Sequence, residues 1–161
     1  MPKKPLKMTI LFLVMTMVPA WSDSSPYGVN ISELMAKSID SNDSTYSTYS
    51  TIAAYRCSAL LALVNGIRER DSGIKDESDS SGELLKLGYY MTVDNLRKRG
   101  ADVDMEDAAK RAKESYDRHY SKYYDWLESN YDTYGDYWAS DKNLQSEIID
   151  CNAISQYTAS Q

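Results

Sequence analysis

The sequence predicts an all-α fold: an up-down-up-down antiparallel four-helix bundle with a short extra N-terminal helix, closed by one disulfide. Three observations predict it. Beyond the first 22 residues the only proline is Pro26, and apolar residues recur at steps of three and four along most of the chain. No stretch alternates apolar and polar residues over the length of a strand, and the closely spaced turn signals of an all-β fold are missing. The two cysteines, Cys57 and Cys151, stand at matching depths in the first and last long helices that this periodicity defines.

The chain opens with Lys3, Lys4 and Lys7, continues with the apolar run Met8 to Val18, and turns polar after Pro19-Ala20-Trp21-Ser22. That is the layout of a secretory signal. The run has 11 residues, whereas a spanning helix needs about 20. Small residues allow a cut after Ala20 or Ser22, so residues 1–22 are expected to be a signal peptide cleaved near 20–22. No cysteine follows either cut to take a lipid, so no stable membrane anchor is expected after cleavage. The expected location is exported, periplasmic or secreted.

Residues 23–50 form a polar N-terminal segment with a short helix. Residues 23 to 29 read as a loose start, and Asn30-Ile31-Ser32-Glu33 has capping-box spacing for a helix through Ile39. Asp40 to Thr51 is rich in hydroxyls that compete for backbone hydrogen bonds, and reads as a linker or frayed helix start. Asn30 and Asn42 each begin an Asn-x-Ser sequon, which a eukaryotic source alone would use.

Residues 51–161 form the helical bundle domain. The second helix runs from about Thr51 to Arg70, with Ala53, Cys57, Leu60, Val64 and Ile67 on one stripe. After a solvated loop, Ser80 and Glu83 cap a third helix that ends near Arg99, with Gly100 in the left-handed position. The fourth starts at Asp102 or Asp104. It carries a stripe of Met105, Ala109, Ala112, Tyr116, Tyr120, Tyr123, Leu127, Tyr131, Tyr134 and Trp138, with a break expected near Gly135. The fifth runs from Ser140 through Tyr157, with Leu144, Ile148, Cys151 and Ile154 on one side. Long helices with short connections pack as an up-down-up-down bundle.

In such a bundle the first and last long helices are antiparallel neighbours, so Cys57, early in one, lies level with Cys151, late in the other. A disulfide suits an exported chain. A redox pair would instead be set two residues apart in Cys-x-x-Cys.

Removing the leader takes away three lysines and no acids, so the formal charge moves from −6 to about −9. Basic residues of the mature chain are interleaved with acids, as in Lys110, Arg111, Lys113 and Glu114, which excludes the clustered cations that nucleic acid requires. His119 is the only histidine and has no carboxylate three or four residues away, so it reads as a partly exposed surface residue rather than a catalytic base. Two cysteines and one histidine leave too few zinc ligands, and no Glu-x-x-His pair, Cys-x-x-Cys-His or Gly-rich phosphate loop occurs. No catalytic residue, metal or cofactor is expected.

The unusual feature is the aromatic density of the fourth helix. Tyr124, Trp126 and Tyr137 fall off its main stripe and, with Trp138, are expected to offer an aromatic interaction surface. The function expected is therefore that of a small exported helical binding protein, an inhibitor, immunity-type or accessory protein whose partner is another exported protein. The alternative is a carrier of a small apolar or aromatic ligand between the third and fourth helices. An enzyme is the least favoured class.

Overall fold

The computed structural model describes residues 25–40, 44–73, 75 and 79–160. The leader with its cleavage site, and the Asn42 sequon, lie outside the described residues. Among the described residues the protein is entirely helical, with α1 (Ile31–Asp40), α2 (Ser44–Ser72), α3 (Ser80–Lys98), α4 (Met105–Tyr134) and α5 (Lys142–Ala159), and one disulfide.

Short polar side chains set the helix starts. Asn30 Oδ1 accepts the Glu33 amide at 2.8 Å, Asp104 accepts the Glu106 amide at 2.8 Å, and Asp141 accepts the Asn143 and Leu144 amides at 3.0 Å. The cap of α3 is Asp79, one residue before the Ser80 that the capping-box spacing indicates, and it accepts the Gly82 amide at 3.1 Å. Gly100 and Gly135 follow α3 and α4 with φ of +74°, the left-handed conformation that glycine adopts without cost.

Helix α2 begins at Ser44, seven residues before Thr51. Ser50 and Thr51 are buried in the packed structure, so tertiary contact outweighs the competition from hydroxyl side chains.

Packing centres on α2, which lies against all four other helices. Ala53, Ala54, Tyr55, Cys57, Leu60, Leu61 and Val64 project from different sides of it and are all buried, a wider apolar arc than one stripe. By length and hydropathy Thr48–Ser72 would suffice to cross a membrane, but its apolar sides are covered by the other helices. Against α3, Ser58 and Ser81 exchange reciprocal hydroxyl-to-carbonyl bonds at 2.8 and 2.9 Å. Farther along, Gly88 lets the Tyr55 ring approach so closely that a Cβ at Gly88 would sit 2.7 Å from it.

Cys57 and Cys151 are bonded and fully buried, joining α2 to α5. The backbones of α4 and α5 stay apart, and side chains span the gap: Trp126 Nε1 and Asn130 Nδ2 both donate to Asp141, at 2.7 and 3.1 Å. Helix α1 is no appendage, because Ile31 and Leu34 belong to the same core.

Candidate functional site

A buried polar cluster lies beside the disulfide. Arg56 precedes Cys57, and Glu147 is one turn before Cys151, so the bridge that joins the cysteines brings these charges together. Arg56 Nη2 reaches Glu147 Oε1 at 2.7 Å, with side-chain exposures of 2% and 0%. Tyr123, also fully buried, donates its hydroxyl proton to Glu147 Oε2 and accepts from Arg56 Nε at 3.2 Å. Burial, with the Glu147 carboxylate next in importance, raises the Tyr123 pKa well above the phenol range and keeps the hydroxyl protonated.

The cluster also holds the N-terminal segment. Ser25 to Gly28 form a turn closed by the Gly28 amide on the Ser25 carbonyl at 3.0 Å, with Pro26 second and Gly28 fourth, as a type I turn favours. From it Ser25 Oγ donates to Glu147 Oε1 at 3.1 Å, while Arg56 Nη1 donates to the Val29 carbonyl at 2.8 Å. The Tyr27 ring lies 3.8 Å from the Arg56 guanidinium carbon and 4.9 Å from Lys122 Nζ, a cation–π arrangement. In place of a loose start, residues 25–29 are therefore pinned to three helices. Arg56, Tyr123 and Glu147 spend their polar atoms on one another and on this turn, and none faces solvent.

His119 lies at the edge of the cluster, half-buried, with Nδ1 3.2 Å from the Tyr27 hydroxyl. Burial first, and then Arg56, Arg118 and Lys122, lowers its pKa from 6.5 to about 4. Such a ring is neutral in the fold and ready to protonate on unfolding. Stability should be level above about pH 7, fall as pH drops from 6.5 towards 4, and level again below. We expect an NMR midpoint near 4 for the His119 ring protons, and a smaller acid slope in His119→Gln than in the wild type. A midpoint at 6.5 would show that the ring is solvated.

The aromatic residues anticipated as one surface are placed differently from one another. Tyr124 is exposed, whereas Trp126, Tyr137 and Trp138 are half-buried and pack on the core. Trp126 stacks on Tyr123 and bonds Asp141, and Tyr137 meets Trp138 at a ring separation of 6.2 Å. The tyrosines that α4 does expose are Tyr120, Tyr124, Tyr131 and Tyr134, each 38% to 49% exposed. At 100° per residue these four fall within an arc of about 80° that overlaps the edge of the buried column of Ala112, Tyr123, Leu127 and Asn130. Tyr131 stacks on Tyr137 at 4.6 Å, and Arg70 of α2 donates to the Tyr137 hydroxyl at 2.9 Å. Between α2 and α4, Ile67, Arg70, Tyr120 and Tyr124 line a shallow groove.

The cleft where α3 meets α4, the expected place for an apolar ligand, also takes in α2 and has a mixed wall, with Ile52, Tyr55 and Leu96 beside Thr92, Asn95 and Arg111. Among the described residues no three His, Cys, Asp or Glu side chains converge as a metal site would need. Scanned against protein-family models, curated proteins and solved structures, the chain matches none.

Proposed function

We propose that this is a small exported helical protein that works by binding another exported protein, as an inhibitor, immunity-type or accessory subunit, through the tyrosine-bearing face of α4. The observation that carries this reading is the row Tyr120, Tyr124, Tyr131 and Tyr134, held half-exposed along one side of one helix. Tyrosine offers a large contact area with few torsions to freeze and a hydroxyl that bonds at a wet rim, which is why it is enriched in recognition surfaces. The helix beneath it is anchored by Tyr123 and Leu127, so the face would be presented already ordered.

Export rests on the basic and apolar leader, and the buried disulfide is in keeping with an oxidising compartment. The up-down-up-down order of the four long helices belongs to the same reading. It is supported by the pairing of Thr51 with Asn95 and Ser58 with Ser81 between α2 and α3, and, between α2 and α5, by Ala53 and Ala54 sharing a cavity with Ile154 and Thr158 on one side of the mid-helix bridge.

The test places a photo-crosslinking benzoylphenylalanine at Tyr124 or Tyr131, and at Tyr90 or Ile149 as exposed controls, in the cells that make the protein. The exported fraction should contain protein starting at Trp21 or Asp23, and the first two positions should give one and the same adduct that the controls lack. Equal labelling from all four sites, or protein still carrying Met8 to Val18, would defeat the proposal.

A further inference from the structure

A cavity of about 280 Å³ lies where α1, α2, α3 and α5 meet, on a part of the molecule to which α4 contributes nothing. Its wall is made by Met35, Ala53, Ala54, Leu87, Met91 and Ile154, with the exposed Tyr157 at its mouth. None of the described lining side chains is charged. The two alanines of α2 create the space, and the two methionines give it an adaptable wall, since their unbranched thioethers repack at small cost.

Ser50 gives this cavity a chemical address. Ser50 lines it, is 6% exposed, and its Oγ has no hydrogen-bond partner. The other wall hydroxyl with a short side chain, Thr158, is already committed to the Ile154 carbonyl at 2.8 Å. A buried hydroxyl without a partner is costly, and whatever supplies the missing bond recovers that cost. Water is poorly suited to do so, because a buried water needs two to four polar partners and the described wall around Ser50 is largely apolar. An organic molecule that brings its own apolar body and a single polar atom meets both requirements. For size, an apolar cavity of about 150 Å³ holds benzene, so this one takes roughly twice that.

We propose that the cavity binds a neutral, largely apolar molecule about the size of two fused rings, bearing one hydroxyl or carbonyl group that pairs with Ser50 Oγ. This site is separate from the tyrosine face of α4, and either can exist without the other.

The probes are 1-naphthol and naphthalene, which differ by the one polar atom, titrated into the oxidised full-length protein carrying ¹³C-methyl methionine. 1-Naphthol should bind saturably, shift the Met35 and Met91 methyl signals together, and bind about tenfold more tightly than naphthalene. Ser50→Ala, which removes one atom and creates no clash, should shrink that preference to under about twofold while leaving naphthalene affinity unchanged. Ala54→Leu, which fills the cavity, should abolish binding of both. Equal affinity for the two probes in the wild type, absence of saturable shifts at Met35 and Met91, or a preference that survives Ser50→Ala would overturn the proposal. Sedimentation at the same concentrations covers the remaining occupant: a dimer that 1-naphthol dissociates would assign the cavity to a second copy of the chain instead.

Discussion

Cys57→Ala is expected to lower the thermal midpoint by about 5 to 15 °C while leaving the helical circular dichroism at low temperature largely unchanged. The bridge closes a loop of 94 residues. In the chain-entropy account such a loop removes about 4.7 kcal/mol of freedom from the unfolded chain, and native bridges commonly deliver about 2 to 4 kcal/mol. The local helices do not depend on it, since α1, α3, α4 and α5 carry side-chain caps and all five helices bury an apolar face. What the bridge fixes is the level of α5 against α2, and with it the distance between Arg56 and Glu147. Non-reducing peptide mapping of the oxidised protein should recover Cys57 linked to Cys151. Free thiols in that material, or a midpoint indifferent to reduction, would remove the bridge from the stability of the fold.

The parts of this structure that sequence exposes are the local ones. Asp104 before an acidic first turn, Gly135 after a tyrosine-rich run, and Asn30 three residues ahead of Glu33 each act within one helical turn, so their meaning survives without knowledge of the tertiary fold. The disulfide was accessible for another reason: with only two cysteines there is one pairing to consider, although the matching of depths did not hold, since α2 starts at Ser44 and places Cys57 near its middle. Position around a helix was harder to read. Steps of three and four along α4 trace a band more than one column wide, so Tyr120 and Tyr131 count towards the same stripe as Tyr123 although they lie to one side of it. Small residues decide the matter, because Ala108 and Ala112 are fully or almost fully buried while Ala109 is exposed.

The apolar cavity forms against α1, which a reading of residues 23–50 as a separate polar segment cannot anticipate. The buried cluster did leave a trace in the sequence. Arg56 is the only charged residue between Thr48 and Asn65, and Glu147 stands between Leu144 and Ile148 on the helix of Cys151. A charge inside an apolar run needs a buried partner, and once the cysteines are joined, position 147 is within reach of position 56. Tyr27 left no such trace, since it arrives from a turn 92 positions away from His119.

The largest single effect should come from breaking that pair. Glu147→Gln keeps the shape of the side chain and removes its charge, leaving the Arg56 guanidinium buried without a counter-ion. Breaking a buried pair from one side costs about 3 to 5 kcal/mol, which for a domain of this size corresponds to a fall of roughly 10 to 20 °C in the thermal midpoint. Arg56→Met should cost about as much, because Glu147 would then keep only the hydroxyls of Ser25 and Tyr123. Replacing both partners removes the unpaired charge and should recover most of the loss, as apolar substitutes for buried pairs often do. Arg56→Met with Glu147→Leu still strands the Tyr123 hydroxyl, so full recovery is expected only when Tyr123→Phe is added. The order of stabilities, single variants lowest, the double higher and the triple highest of the three, separates a pair held in place by mutual neutralisation from one that merely fills space. In the second case Glu147→Gln would cost under about 1 kcal/mol and the double variant would be worse than either single one. The same series has a structural readout. Arg56 also holds the Val29 carbonyl and the Tyr27 ring, so amide exchange at residues 27–31 should rise in Arg56→Met and stay high in the double and triple variants even as the midpoint recovers, because no apolar side chain can replace those two contacts.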